Sequence, residues 1–213
     1  MWTHTLLEVL RRHAPDCAAI ADHIRPHLER GFPWHEPHVV YMVRPTEQWW
    51  DDLAPVFERA FAAAGLPSPQ SRLLAREVRR VYADLNYWRL YDDMLPVLNQ
   101  LSGEGWTHLL LSNHVPELPT LLRHLQIDAF FAQVFNSAET GYEKPHPQAF
   151  QNVLDTIKPC ETVWMIGDNP VADIAGAAAM GIPSILVRKR HADVRYQCDN
   201  LVQVAALLQA SVA

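Results

Sequence analysis

The second half of the chain alternates short apolar runs with helical segments, and this alternation limits the fold more than any other feature. The predicted strands are THLLLSN, AQVFNSA, TVWMIGD and SILVRKR. The helical segments around them are MLPVLNQLSGEG, LPTLLRHLQI, PQAFQNVLDTI, DIAGAAAMGI and LVQVAALLQA. Strands that alternate with helices of this length predict a parallel sheet with helices on both faces and right-handed crossovers. Residues 89–213 are therefore predicted to form an α/β domain.

Residues 1–88 have a different pattern, with apolar residues at three- and four-residue spacing and no convincing strand. The helical segments are LLEVLRRH, CAAIADHIRPHLERG, WWDDLAPVFERAFAAAGL and LLAREVRRVYADLNYW. Gly31 and Gly65 follow two of these segments, as helix C-caps often do. This half is predicted to be a small helical domain, in which Trp49, Trp50 and Trp88 pack between helices.

Composition narrows the class of protein. A formal net charge of −6 argues against nucleic-acid binding. No apolar run reaches the roughly 20 residues that span a bilayer, and the N-terminus lacks the parts of a signal peptide. Cys17, Cys160 and Cys198 are too widely spaced to indicate a disulfide framework or a metal pair. A cytoplasmic monomer or homodimer, without nucleic-acid or membrane partners, is the expectation.

Two carboxylates lie at and shortly after the carboxyl end of the predicted strand TVWMIGD. In open α/β sheets, ligands bind outside the carboxyl ends of the strands. Asp168 ends this strand, and Asp173 follows near the start of the next helix. Two carboxylates without nearby His or Cys suit Mg²⁺ better than zinc. The alternative is that Asp168 caps the helix and Asp173 is an ordinary first-turn acid, and the pair alone does not decide between them.

Ser112, Asn113 and Lys144 are the further candidates for a site. Ser112 and Asn113 end the strand THLLLSN, and a hydroxyl, an amide and free backbone N–H groups at a helix start can bind phosphate. Simple helix capping is the more common role of such residues. Lys144 precedes Pro145, which favours an extended backbone and so directs the lysine. A solvated loop lysine is the alternative.

In their order along the chain, LLLSN, EKPHPQAF and IGDNPVADIAGAAAMGI resemble the second, third and fourth motifs of the haloacid dehalogenase-like hydrolase superfamily. The resemblance runs from about Tyr91 to the C-terminus. It implies a Rossmann-like three-layer core over residues 89–213 and a helical cap over residues 1–88.

The resemblance also implies residue roles. Ser112 and the Asn113 backbone would bind a phosphoryl group, and Lys144 would bridge that phosphate and the nucleophile. Asp168 would ligate Mg²⁺, and Asp173 would ligate it or orient a bound water. The implied reaction is attack by an aspartate on a phosphate monoester, and water then hydrolyses the aspartyl-phosphate.

The first motif of this superfamily, a strand ending in Asp-x-Asp, has no counterpart here, because the sequence contains no Asp-x-Asp. That strand would lie between the strands that end at Ser112 and Asp168, and it would carry the nucleophile. Three interpretations follow: an enzyme whose complete chain is longer, a naturally short Mg²⁺ or phosphate binder, or a regulatory module that borrows a strand. The first is favoured, and these 213 residues alone are expected to be nearly inactive.

The choice between phosphatase and dehalogenase depends on the fourth motif. Metal-free dehalogenases of the superfamily have Ser-Ser-Asn there, whereas Gly167-Asp168 resembles the Mg²⁺-dependent phosphatases. The substrate is expected to be a small phosphorylated metabolite. Residues predicted to contact it are Trp34, His35 and His38 in the loop GFPWHEPH, together with His114 and Asn169. His35 and His38 are expected to cap or face solvent rather than to bind a metal.

Overall fold

A computed structural model describes residues 1–157 and 162–212, and it describes side chains through residue 210. The chain forms two compact units, Met1–Trp88 and Arg89–Ala213. The first unit is helical, and the second contains parallel strands and helices.

The first unit contains four α-helices and short 3₁₀ turns. The helices are α1 (Trp2–His13), α2 (Ala21–Ile24), α3 (Thr46–Ala63) and α4 (Ser68–Tyr82). The segment CAAIADHIRPHLERG was predicted as one helix, and that prediction is wrong. It contains only α2 and a 3₁₀ turn, Arg25–Leu28. Pro26 in this turn has no N–H to continue the α-helical bonding.

An aromatic cluster forms the core of the first unit. Phe32 and Phe57 are almost fully buried, and the ring of Trp2 stacks on that of Tyr82 with centroids 4.2 Å apart. Trp49 and Trp50 are buried, as the packing prediction required. Trp88 donates its indole N–H to the carbonyl of Tyr82, and its ring packs edge-on against the Tyr82 ring with centroids 5.5 Å apart.

The second unit follows the predicted order of strands and helices. The helices are α5 (Met94–Gly103), α6 (Leu118–His124), α7 (Ser137–Thr140), α8 (Pro147–Leu154), α9 (Gly176–Ala179) and α10 (Leu201–Val212). The strands are β1 (His108–Ser112), β2 (Phe131–Asn136), β3 (Met165–Gly167), β4 (Ser184–Val187) and β5 (Gln197–Cys198). The four predicted strands are all present, and β5 was not predicted. The α/β fold class is therefore confirmed.

The strands form two parallel sheets, and β1 and β3 are the two strands between which the absent Asp-x-Asp strand was predicted to lie. One sheet has the order β1-β2 and the other has the order β3-β4-β5. Within residues 1–157 and 162–212, no strand pairs with the second edge of β1 or of β3. The strand THLLLSN was predicted to be buried, yet every residue of β1 is only half-buried, because this edge is open.

The two sheets nevertheless share one hydrophobic cluster. Leu111 of β1 and Met165 of β3 both pack against the group that contains the buried Phe150. A Cβ atom at Gly176 would lie 2.6 Å from Cε2 of Phe150, so helix α9 approaches α8 closely at this glycine. The open edges of β1 and β3 therefore belong to the same compact unit.

Free thiols are present in both units. Cys17 is half-buried and Cys198 is buried. The prediction for Cys160 lies outside the described residues. None of the helices described has both the length and the apolar character that crossing a bilayer requires.

The aromatic cluster makes a prediction about the stability of the first unit. Replacing the fully buried Phe57 with alanine should lower the free energy of unfolding by about 3–5 kcal/mol, because a cavity replaces a buried ring. Leu73 is 62% exposed on α4, and Leu73→Ala should change that free energy by less than about 0.5 kcal/mol. Urea titration of both variants tests this, and equal losses would contradict the assigned core.

Candidate functional site

A buried ion pair lies at the carboxyl ends of β1 and β3. Nζ of Lys144 is 2.6 Å from Oδ1 of Asp173 and donates a second hydrogen bond, 2.7 Å long, to the carbonyl oxygen of Leu111. Lys144 is 8% exposed and Asp173 is 4% exposed. One ammonium group therefore links the end of β1 to the turn that follows β3.

Asn113 fixes the backbone of Lys144 from the other side. Oδ1 of Asn113 accepts the N–H of Lys144 at 2.7 Å, and Nδ2 of Asn113 donates to the carbonyl of Lys144 at 2.9 Å. Ser112, the last residue of β1, is paired with Asn136 of β2. The structure thus brings Ser112, Asn113, Lys144 and Asp173 together from three separate segments of the chain.

The loop after β3 gives Asp168 and Asn169 different roles. Oδ1 of Asn169 accepts the N–H groups of Val171 and Ala172, both at 3.0 Å, so Asn169 caps the π-helical turn Pro170–Ala175. Asp168 does not serve as this cap. Its exposed carboxylate pairs with Nζ of Lys189 at 2.9 Å.

Both carboxylate oxygens of Asp173 have hydrogen-bond or ion-pair partners within the protein. Oδ2 of Asp173 accepts the N–H of Asn169 at 2.9 Å, while Oδ1 pairs with Lys144. Gly167 makes this arrangement possible, because a Cβ atom there would lie 2.2 Å from Oδ2 of Asp173. The role of Asp173 as a metal ligand stays a prediction.

Asp168 is the exposed carboxylate at this edge that could bind a cation such as Mg²⁺. Within the described ranges, no group of three or more His, Cys, Asp or Glu side chains could enclose a metal ion. Mg²⁺ commonly keeps several waters and needs only one or two carboxylates. The exposed oxygens of Asp168 could supply one such ligand.

Sequence reasoning missed Glu143, the residue before Lys144. Its side chain is 3% exposed, and its Oε2 atom has no hydrogen-bond partner within the described structure. Burial raises the pKa of Glu143 to about 7, against smaller lowering effects of a hydrogen bond with Ser137 and of the Lys144 charge. A Glu-Lys pair in a proline-containing loop normally indicates solvent exposure, so the sequence carried no signal of this burial.

His114 lies in the turn after β1, half-buried. Its backbone N–H donates to Oγ of Ser137 at 3.1 Å. The expectation of free N–H groups in this turn is therefore wrong for His114. Burial lowers the pKa of the His114 imidazole, which favours its neutral form.

The residues predicted in the loop GFPWHEPH lie in the first unit. The ring of Trp34 stacks on Phe32 at 4.6 Å. Nδ1 of His35 accepts the N–H of Phe32 at 3.4 Å, and the side chain of His38 is exposed. These positions agree with packing and capping, and contact with a substrate stays a prediction for Trp34, His35, His38, His114 and Asn169.

The fold and site define a class of α/β protein with a lysine–aspartate pair at the carboxyl ends of parallel strands. Residues 6–181 match the family model of haloacid dehalogenase-like hydrolases. The chain belongs to this hydrolase family, which confirms the resemblance.

Relatives with assigned names cover part of the chain. The Rhythmically expressed gene 2 protein of Drosophila melanogaster is 30% identical over 155 residues, which are 68% of this chain and 58% of that protein. A glyceraldehyde 3-phosphate phosphatase of Methanopyrus kandleri is 33% identical over 139 residues, or 62% of this chain and 58% of that protein. The chain thus spans less than two thirds of the length of these relatives.

Solved structures show the same fold. The magnesium-bound HAD-hydrolase YfnB of Bacillus subtilis has a TM-score of 0.76 at 19% identity, over 98% of this chain and 92% of that one. A 2-haloacid dehalogenase of Pseudomonas syringae has a TM-score of 0.64 at 24% identity, over 100% of this chain and 90% of that one.

The contact between Gly167 and Asp173 makes a second prediction. Gly167→Ala should destabilise the protein by about 1–3 kcal/mol, because the new methyl group displaces the Asp173 carboxylate. Gly103 ends α5 and has no atom within 4 Å of an added Cβ, so Gly103→Ala should leave stability unchanged or slightly higher. Urea titration compares the two, and equal stability would contradict the close packing.

The buried carboxyl of Glu143 makes a prediction about pH. The folded state holds its proton up to about pH 7, whereas an unfolded Glu releases it near 4.5. Stability should therefore fall as pH rises through this window, by about 3 kcal/mol in total. Glu143→Gln should remove that decrease from the pH profile of the free energy of unfolding. Glu139→Gln, at an exposed position on α7, should keep the decrease, and a Glu143→Gln profile identical to the wild type would contradict the raised pKa.

Proposed function

We propose that the protein acts as a Mg²⁺-dependent phosphatase of a small phosphorylated metabolite. The observation that carries this proposal is the buried ammonium of Lys144, held by Asp173 and Leu111 at the carboxyl end of β1. An ammonium group has three N–H donors, and two have partners here. The third can donate a hydrogen bond to a phosphoryl oxygen.

The nucleophile in this proposal is an aspartate on an extended strand that pairs with the open edges of β1 and β3. Unpaired edges readily accept a further strand. That strand would place its carboxyl end beside Ser112 and Lys144. Its first aspartate would attack phosphorus while the bond from phosphorus to the substrate alcohol breaks, and the second aspartate would protonate the departing alcohol. Water then hydrolyses the aspartyl-phosphate and releases inorganic phosphate.

The residues of this chain have separate tasks in that reaction. The Ser112 hydroxyl donates to a phosphoryl oxygen, and Asn113 holds the backbone of Lys144 in place. The Lys144 charge reduces the repulsion between the nucleophile and the phosphate. Asp168 would hold Mg²⁺, which, when bound, stabilises negative charge on the phosphoryl group. Asp173 orients Lys144 through their ion pair.

Two other functions remain as alternatives. A 2-haloacid dehalogenase is favoured by the fold of the Pseudomonas syringae enzyme, but the exposed carboxylate of Asp168 suits a cation-dependent reaction better. A non-catalytic Mg²⁺ or phosphate binder would use the same residues without a nucleophile. The free thiols Cys17 and Cys198 are compatible with a reducing cytoplasm for each of these functions.

The test is complementation by a synthetic apolar peptide that ends in Asp-x-Asp. Peptide binding is measured first, from changes in the amide NMR signals of β1 and β3. With Mg²⁺ present, the bound peptide should allow hydrolysis of p-nitrophenyl phosphate. Lys144→Ala or Asp168→Asn should lower that rate by about 100-fold or more, because charge stabilisation is lost.

Matched controls separate the alternatives. A peptide with Asn in place of its first Asp should bind without turnover. Halide release from a 2-haloacid in excess EDTA would instead support a dehalogenase. A bound Asp-x-Asp peptide without either activity, together with Mg²⁺ binding that Asp168→Asn abolishes, would support the binder and contradict the phosphatase.

A further inference from the structure

The carboxyl group of Glu143 lies buried beside the proposed phosphate site and has no task in the reaction above. Its Oε2 atom is unpartnered within the described structure. Burying such an oxygen without a hydrogen bond is costly, and the cost rises steeply when the group is charged. A buried acid kept next to Lys144 at this cost requires an explanation.

Two hydrogen bonds connect Glu143 to the turn after β1. The Ser137 hydroxyl donates to the Glu143 carboxylate, and Oγ of Ser137 accepts the backbone N–H of His114. Asn136 holds the next residue of the turn, because its Nδ2 atom donates to the carbonyl of Val115 at 2.9 Å. A change of charge on Glu143 therefore reaches the backbone of the turn through one hydroxyl group.

The summed charge of Lys144, Asp173 and Glu143 is zero only when the Glu143 carboxyl is protonated. Lys144 contributes +1 and its partner Asp173 contributes −1, so the pair adds no net charge. Burial favours the neutral imidazole of His114. A protonated Glu143 leaves this total at zero, and an ionised Glu143 makes it −1. Net negative charge beside a phosphate site opposes an anion.

Other titratable groups near Glu143 do not replace it in this balance. The backbone N–H of His146 donates to the carbonyl of Glu143, and the His146 ring accepts the N–H of Gln148 instead. The ring of the neighbouring Tyr142 packs near the ring of His146, with centroids 5.0 Å apart. Glu139 on α7 is exposed to solvent, where its charge is screened.

We propose that Glu143 controls the anion affinity of the turn after β1: the neutral acid permits a tetrahedral anion to bind, and the carboxylate opposes it. The inference rests on the proposed function, because it concerns the same turn. The ionised carboxylate also accepts a stronger hydrogen bond from the Ser137 hydroxyl. This polarises Oγ of Ser137, so the hydrogen bond that Oγ accepts from the N–H of His114 becomes stronger as well. Protonation of one buried acid is thus linked to occupancy of the phosphate site.

The experiment follows amide NMR signals of the full chain and uses sulfate as a tetrahedral anion that does not titrate. The His114 amide signal should shift in wild type between about pH 5.5 and about pH 8.5, with a midpoint near the Glu143 transition. Sulfate affinity, measured from the Asn113 and His114 amides, should fall roughly tenfold over the same range. In Glu143→Gln, affinity should stay at the low-pH wild-type value throughout.

Two further variants identify the path. Ser137→Ala should abolish the pH-dependent shift of the His114 amide but keep the loss of sulfate affinity, since the Glu143 charge remains. Glu139→Gln should behave as wild type. Any titration of the His114 ring persists in Glu143→Gln, so the difference between these two proteins isolates the Glu143 proton.

The outcomes separate this inference from the proposed function. Sulfate binding of equal strength at both pH values in wild type would overturn the inference alone. A wild-type pH dependence that persists in Glu143→Gln would also overturn it. Absence of sulfate binding in both proteins at every pH would contradict the phosphate site itself, and with it the proposed function.

Discussion

The ammonium group of Lys144 is the contact on which the candidate site depends. It joins the carbonyl of Leu111, at the end of β1, to the carboxylate of Asp173, which in turn accepts the N–H of Asn169 after β3. The two strands belong to different sheets, so no backbone hydrogen bonds hold their ends together. A buried charge pair at this position replaces that connection, and it requires Gly167 because a larger residue would meet Asp173.

The unpaired edges of β1 and β3 lie at the same place as the Lys144 site and could accept a further strand. β1 and β3 share a hydrophobic cluster, yet each leaves one edge without a strand partner in the described ranges. The carbonyl oxygen of Leu111 in β1 accepts a hydrogen bond from Nζ of Lys144. An additional strand here would add backbone pairing and bring its carboxyl end to Lys144. Completion of the sheet and completion of the site would then be one event.

Local patterns were sufficient to predict most of the fold. A strand lies in each of the four predicted apolar runs, THLLLSN, AQVFNSA, TVWMIGD and SILVRKR. Short apolar runs between helical segments are typical of buried strands in a parallel sheet. One predicted helix was wrong for a local reason. Pro26 has no N–H to donate, so the segment around it forms a 3₁₀ turn instead of a continuous α-helix. The division into two sheets agrees with the predicted absence of the Asp-x-Asp strand between β1 and β3.

The site was predictable in part. The order of the motifs predicted that one site contains Ser112, Asn113, Lys144 and Asp173. In the structure Asn113 and Asp173 both bind Lys144. The burial of Glu143 depends on how α7 and the loop before Lys144 fold over the turn after β1, which no local pattern records. The difference between the exposed Asp168 and the buried Asp173 also arises only after folding, since both are aspartates near one turn.

The most direct measurement is a double-mutant cycle on Lys144 and Asp173, with the free energy of unfolding of Lys144→Met, Asp173→Asn and the double variant. A buried pair that links the two sheets predicts a coupling energy of about 2 kcal/mol or more. The exposed pair Lys189–Asp168 serves as the matched control and should couple by less than about 1 kcal/mol. Equal coupling in the two cycles would contradict the central role of Lys144.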